Sequence, residues 1–266
     1  MKKRKKKKIK YLPFKISPTL IKGSVFFILL IFIFGGTGFM VYKSDNFRVK
    51  KGSIHCNVQL DKNILNRIMG QSLFVIDIKA ISADILERNP IFKKVSVVKK
   101  FPSSLIIEVE KRELFAQIKG KKFYPIDVDL IVLTNGQSNP YEGLISIEAS
   151  NYEQYYKIGD EVINEKVRSS VNLVRAFKDN EFFKDSKIKS INSSSIQALY
   201  FILELNILDE NKKFFKKDIM VKIGDGKFQK RLEKLREEIQ VYFKDKLSLV
   251  EYFDLRFERV IVKLNR

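Results

Sequence analysis

The longest feature in the hydrophobic pattern is GSVFFILLIFIFGGTGFMVY at 23–42, a run without a charge between Lys22 and Lys43. At about 1.5 Å of rise per residue, a helix of this length spans roughly 30 Å, the thickness of a bilayer's hydrocarbon core. Beyond it the pattern breaks into shorter units. Ile54 and Cys56 alternate with His55 and predict an extended segment. LDKNILNRIMG at 60–70 places Ile64, Leu65, Ile68 and Met69 on one helical stripe, with Asp61 positioned to cap and Gly70 at the C′ position. SLFVIDI (72–78) leads into a second helix over about 79–88, with Ile81, Ile85 and Leu86 inward, and Asn89-Pro90 stops it. FKKVSVVKK (92–100) and SLIIEVEKR (104–112), joined by FPSS, predict a hairpin. Leu105, Ile107 and Val109 alternate there with Ile106, Glu108 and Glu110, which gives the sheet one dry and one wet face. Strand, helix, helix, strand, strand make a compact α+β unit.

Short strands are expected at 115–119, 122–126 and 129–134, followed by a loop at 135–143. NEKVRSSVNLVRAFKD (164–179) is an amphipathic helix with Val167, Val171, Val174 and Phe177 at helical spacing. IKSINSSS (188–195) reads as a strand entering a Ser-rich turn, ALYFILELNIL (198–208) alternates strongly, and DIMVKIGDG (218–226) is a strand running into a tight turn. A helix over 228–243 turns Leu232, Leu235, Ile239 and Tyr242 inward, with Glu233–Arg236 and Lys234–Glu238 spacings on its wet face. LVEYFDLRFERVIVKLNR then closes as strand material. The fold class is α+β: a tail at 1–22, a transmembrane helix at 23–42, a small α+β domain at 46–116, and a β-rich domain with a few helices at 117–266.

The net charge of +20 resembles that of a nucleic-acid binder until it is divided along the chain. Residues 1–22 hold ten Lys or Arg and no acid, with KKRKKKK at 2–8 as the one dense block. No aromatic platform is interleaved with those lysines, so a nucleic-acid partner is disfavoured. Basic residues beside a hydrophobic span are retained in the cytoplasm and attract anionic lipid. On the far side stand Lys43, Arg48, Lys50 and Lys51 with Asp45 among them, which places the N-terminus inside and the body outside. A cleaved signal peptide, with Gly35, Gly36 and Gly38 as its small residues, competes. The 22-residue lead and an apolar run beyond the usual 7–15 favour an uncleaved anchor at the cytoplasmic membrane.

One cysteine, Cys56, and one histidine, His55, permit neither an internal disulfide nor a Cys/His metal cluster. As strand neighbours they point to opposite faces and make no nucleophilic pair; Cys56 reads as a small core residue and His55 as solvent-facing. Gly224-Asp225-Gly226 lacks the Lys-Ser/Thr of a phosphate loop and is better read as a hairpin turn. Ser193, Ser194 and Ser195 form a loop with no base at hand, and Glu108 and Glu110 lie on a solvated face. No catalytic constellation, metal site or cofactor site emerges, so a non-enzymatic role is expected. Asp254 and Arg256 stand out as a structural ion pair anchoring their strand. The last strand, Glu258–Lys263, has little chain after it and reads as a sheet edge, either blunted by Arg259 and Lys263 or used for strand addition.

Two stretches together carry a family resemblance. In NPIFKKVSVVKKFPSSLIIEVEKRELFAQI, the residues Phe92, Val95, Val97, Lys99, Lys100, Phe101, Pro102, Leu105, Ile107, Val109, Arg112 and Ala116 fit the second half of a POTRA domain as found in the FtsQ/DivIB cell-division proteins. The closing part resembles the β domain of that family: Val221-Lys222-Ile223-Gly224, then Arg231-Leu232-Glu233-Lys234-Leu235, then Phe253-Asp254-Leu255-Arg256-Phe257 and a last strand from Arg259 to Lys263. The departures are a Glu-Arg pair split as Glu110-Lys111-Arg112, Asn57 where a glycine usually closes the first strand, and Leu130 where a glycine is usual in the YPIDVDLIVL hairpin. The resemblance implies a divisome scaffold at the septum that regulates septal peptidoglycan synthesis. It would bind FtsB/DivIC-like and FtsL-like proteins, with FtsW/FtsI-like proteins as further contacts. By matched position the partner-binding residues would be Phe257, Arg259, Val260, Ile261, Val262 and Lys263, with the POTRA sheet as a second docking surface. A POTRA-bearing envelope transport or outer-membrane assembly factor is the alternative, disfavoured because no barrel-like series of strands follows.

Overall fold

The computed structural model describes residues 18–50, 52–149, 154–195, 197–208, 214–244 and 246–265, and the basic block at 2–8 lies outside them. The first element, α1 (Pro18–Lys43), is a single unbroken helix. Its stretch Phe26–Lys43 has a mean hydropathy of 1.9 and is long and apolar enough to cross a membrane. The chain divides into two compact units, Met1–Ala83 with Ser96–Glu108 and Asp84–Val95 with Val109–Arg266.

A 3₁₀ turn, Asp45–Phe47, follows α1, with Ser44 capping it through the Asn46 amide. Then come β1 (Ile54–Cys56), α2 (Lys62–Ile68), α3 (Ile78–Arg88), β2 (Phe92–Lys100) and β3 (Ser104–Lys111). The order is the strand, helix, helix, strand, strand expected from the pattern. Asp61 caps α2 by accepting from the Asn63 amide at 2.9 Å. Gly70 takes φ +78° past its end, where a side chain would be strained. The three strands form a sheet in the order β1-β3-β2, with β1 parallel to β3 in the register Ile54↔Leu105 and Cys56↔Ile107. Because β1 is a three-residue edge strand, Cys56 and Ile54 are only half-buried, so Cys56 is not the core residue expected; His55 is exposed. Asn57 does not take a left-handed backbone. The core of this unit is drawn from Ile64, Ile68, Leu73, Ile76, Val97, Leu105 and Ile107.

The second unit is built on β4 (Ala116–Lys119), β5 (Phe123–Ile126), β6 (Ile145–Ala149), β7 (Lys187–Ser193), β8 (Tyr200–Leu208), β9 (Phe214–Lys222), β10 (Val250–Asp254) and β11 (Ile261–Leu264). They form one eight-stranded sheet in the order β11-β10-β9-β8-β7-β6-β4-β5. Pairings β4–β6, β6–β7 and β9–β10 are parallel and the others antiparallel. Helix α4 (Glu165–Lys178) packs on β6 and β7, and α5 (Phe228–Glu237) packs on α4. The alternation of β8 decides which face they cover. Phe201, Leu203, Leu205 and Ile207 are buried in the core with Val167, Val171, Val174, Phe177, Leu232 and Leu235. The other face keeps its charges in water, where Lys189 bridges Glu204 (3.1 Å) and Asp218 (2.8 Å).

Three sequence expectations for this unit need correction. The segment 129–134 forms no strand, only isolated bridges at Ile131 and Val132, because Asp127 Oδ1 turns the chain by accepting from the Asp129 and Ile131 amides. Strand β6 was not foreseen; its five residues follow a loop and carry too short a pattern to register. The helix from 228 ends as α-helix at Glu237 and continues as a π turn over Glu238–Tyr242. The wider turn delays the phase, so Tyr242 points out at 61% exposure and Phe243 meets Phe253 edge-on instead, 5.9 Å between centroids.

Candidate partner-binding edge

Every element of the closing segment is placed by β10. It runs parallel to β9, with Tyr252↔Met220, Phe253↔Val221 and Asp254↔Lys222 in register, and Phe253 and Leu255 are buried in the core. Strand β11 returns antiparallel, pairing Asp254↔Ile261, Phe253↔Val262 and Tyr252↔Lys263, with a bulge at Glu251 before Val250↔Leu264. Since β11 terminates the sheet order, its far side faces no strand of this chain among the described residues.

The direction of each backbone group on β11 follows from two hydrogen bonds. Leu255 donates to the Lys222 carbonyl at 2.7 Å, and Asn265 donates to the Leu249 carbonyl at 2.7 Å. By the alternation of an antiparallel pair, Ile261 and Lys263 bond inward to β10, while the backbone groups of Val262 and Leu264 face the open edge. Side chains alternate as well. Val260 and Val262 rest against the core and Ile261 stands on the opposite face, 48% exposed, while Leu264, on the Val262 face at the end of the strand, is 42% exposed.

The strand is shorter than the sequence indicates. Phe257, Glu258 and Arg259 belong to the turn between β10 and β11, and Val260 precedes the strand, because the Asp254–Arg256 corner ends β10. Arg256 meets the Asp254 carboxylate in a two-pronged bond, Nε to Oδ1 at 2.9 Å and Nη2 to Oδ2 at 2.6 Å. Burial alone would raise the pKa of Asp254. The side-chain and backbone hydrogen bonds from Arg256, its charge, and Lys222 reverse that, so the carboxyl titrates below its ordinary value. The Arg256 guanidinium lies 5.6 Å from the Phe257 ring, which is 55% exposed. Lys234 on α5 donates to the Glu258 carbonyl at 2.5 Å and holds the turn from beneath. Lys263 pairs with Glu251 at 2.8 Å; that hydrogen bond, then Glu251's charge, raises its pKa and keeps it cationic.

Two groups near the edge escaped the sequence reading. Leu264 lay just past the expected strand end. Tyr252 presents its ring to Lys222 (3.9 Å) and Lys263 (5.8 Å), a relation across three strands that no linear spacing displays. Of the other singled-out groups, Gly224-Asp225-Gly226 is a turn with both glycines at positive φ, and Arg231 Nη1 donates to the Ile223, Asp225 and Gly226 carbonyls at 2.7, 2.7 and 3.0 Å. The Asp225 carboxylate accepts from Ser169 Oγ. Among the described residues no group of three or more His, Cys, Asp or Glu is placed to hold a metal ion.

These features define a protein with, among its described residues, one helix long and apolar enough to cross a membrane, a POTRA domain and a β-rich region of few helices. Residues 58–112 match the family model for the POTRA domain, FtsQ-type. The chain is 20% identical over 255 residues to the cell division protein FtsQ of Syntrophotalea carbinolica, a match covering 93% of this chain and 84% of that protein. Along most of its length the chain is therefore similar to a cell-division protein, and residues 58–112 are a POTRA domain of the FtsQ type.

Proposed function

We propose that the protein is a non-enzymatic scaffold of the septal division machinery that captures a partner by strand addition at β11. The partners are FtsB/DivIC-like and FtsL-like proteins, with FtsW/FtsI-like proteins as further contacts, and holding them regulates septal peptidoglycan synthesis. The N-terminal tail is cytoplasmic and the two domains, 46–116 and 117–266, lie on the other side of the membrane. The contact surface comprises Phe257, Arg259, Val260, Ile261, Val262 and Lys263, to which the edge geometry adds Leu264.

The observation that carries this reading is the position of β11 at the end of the eight-stranded sheet. The opposite edge, β5, is already occupied. Phe123 and Gln137 exchange backbone bonds at 2.8 and 3.2 Å, and Leu133 donates to the Pro125 carbonyl at 3.0 Å. Strand addition draws affinity from main-chain bonds, for which β11 offers the outward Val262 and Leu264 amides, and specificity from side chains, for which it offers exposed Ile261 on one face and Leu264 on the other.

Proline at Leu264 or at Val262 deletes an outward donor and leaves the inward ladder to β10 intact. Co-purification of the tagged full chain with its membrane partners is expected to fail for Leu264→Pro and Val262→Pro and to persist for Leu264→Ser. Undiminished capture by both proline variants, with an unchanged thermal transition, sinks the proposal. Depletion of the protein is expected to leave filamentous cells with unfinished septa.

A further inference from the structure

We propose that Phe47, Phe74 and Phe101 seat the POTRA domain on the phospholipid surface from which α1 emerges, with neighbouring lysines on the headgroup phosphates. The three rings come from segments far apart in sequence and meet in a row: Phe47 to Phe74 at 5.1 Å, Phe74 to Phe101 at 5.4 Å. Phe74, Val75 and Phe101 remain 47%, 58% and 54% exposed, a contiguous apolar surface of a kind that marks membrane or partner contact.

Chain continuity chooses the membrane. Phe47 is four residues beyond Lys43, the end of α1, and four residues reach at most ~14 Å. The joint is not slack: the Ser44 amide donates to Val41 and the Phe47 amide to Ser44, both at 3.2 Å. Phe47 is also fixed to the rest of its unit, since Leu73 donates to its carbonyl at 2.8 Å and Val49 donates to the Gln71 carbonyl at 3.0 Å. A ring cluster tied this closely to the helix end stays at the level of the bilayer surface when α1 spans the membrane.

The charges agree. Lys43 and Lys50 flank Phe47 in sequence, and Lys99 and Lys100 immediately precede Phe101. The nearby acids are engaged, Asp45 with Arg48 at 3.2 Å and Asp77 with the Lys79 and Ala80 amides that open α3. Lysines beside a lipid surface add attraction that falls off within a Debye length.

The proposal rests on α1 spanning the bilayer. The chain contains no tryptophan, so a single Phe74→Trp or Phe101→Trp substitution supplies an unambiguous reporter. Each full-length variant is reconstituted into phosphatidylcholine–phosphatidylglycerol vesicles, with and without bromine on the acyl chains. The expected result is loss of most of the emission in brominated vesicles, together with shielding from aqueous acrylamide. Adding Lys99→Glu and Lys100→Glu to Phe101→Trp is expected to weaken that quenching.

Emission indifferent to bromine overturns the proposal. So does shielding that disappears when the protein is diluted in lipid, which would assign the surface to a second copy of the chain. Release of the chain from the vesicles by alkaline carbonate would overturn the anchor and the proposal together, whereas an anchored chain with unquenched tryptophan refutes the proposal alone.

Discussion

Arg112 Nη1 lies 2.5 Å from Asp127 Oδ2 and 3.1 Å from Asp129 Oδ2, while its Nε donates to the Pro90 carbonyl at 3.2 Å. The Asp127 side chain is 2% exposed and its other oxygen is committed to the Asp129 and Ile131 amides. One guanidinium therefore neutralises a buried carboxylate and closes the turn around it. Removing one partner of a buried pair strands the other in low dielectric. Arg112→Met is expected to cost about 2–4 kcal/mol in equilibrium unfolding, against a smaller loss for Arg112→Met with Asp127→Asn. Equal losses in the single and double variants would show that Asp127 is not left stranded.

Leu130 takes φ +67° at the position where a glycine is expected, and it is 3% exposed. A left-handed backbone costs an L residue about 1–2 kcal/mol, whereas deleting a buried leucine side chain costs about 2.7–5 kcal/mol. Burial wins. Leu130→Gly is expected to destabilise the protein by about 1–3 kcal/mol even as it relieves the backbone. A variant more stable than the parent in urea would reverse that ordering.

The Asp254–Arg256 corner has an acid limit. The folded pKa of Asp254 lies below its ordinary 3.8, so the pair's stabilisation is complete at neutral pH. It begins to be lost as pH drops past that ordinary value and is gone once pH falls through the depressed folded value. Asp254→Asn is expected to flatten this part of the stability-versus-pH curve and to cost about 1–2 kcal/mol at pH 7, measured by denaturation at a series of pH values. A curve as steep as the parent's would assign the acid dependence elsewhere.

Phe257 offers its ring to solvent beside Arg256, so its removal takes little from the core. Phe257→Glu is expected to weaken partner capture at least about tenfold, the loss of a central aromatic contact, while the thermal midpoint holds. Unchanged affinity would move the contact surface off this turn.

The parts of the fold written in a strong local period were legible in the sequence. The alternations of β3 and β8 and the stripe of α4 put Leu105, Ile107, Phe201, Leu203, Val171 and Val174 inside, and all are buried. Asp61 and Gly70 bounded α2 by their own chemistry. What the sequence concealed depended on partners. Residues 129–134 resemble a strand until Asp127 folds them back, and Tyr242 resembles a core residue until the π turn shifts its phase. The candidate edge was legible as a stretch and not as a register. DLRFERVIVKL announces strand material, but only the Asp254–Arg256 corner and the pairing with β10 decide that Leu264 belongs to the edge and Arg259 to the turn.

With β5 closed by the 131–137 segment, the large sheet can be lengthened from one side only. Repeated addition needs two free sides per subunit. Two copies meeting at β11 would satisfy each other and stop, giving a symmetric pair and never a fibre through this sheet. Any strand bound there from another protein would block that pairing, so occupancy of β11 and self-association through β11 exclude one another.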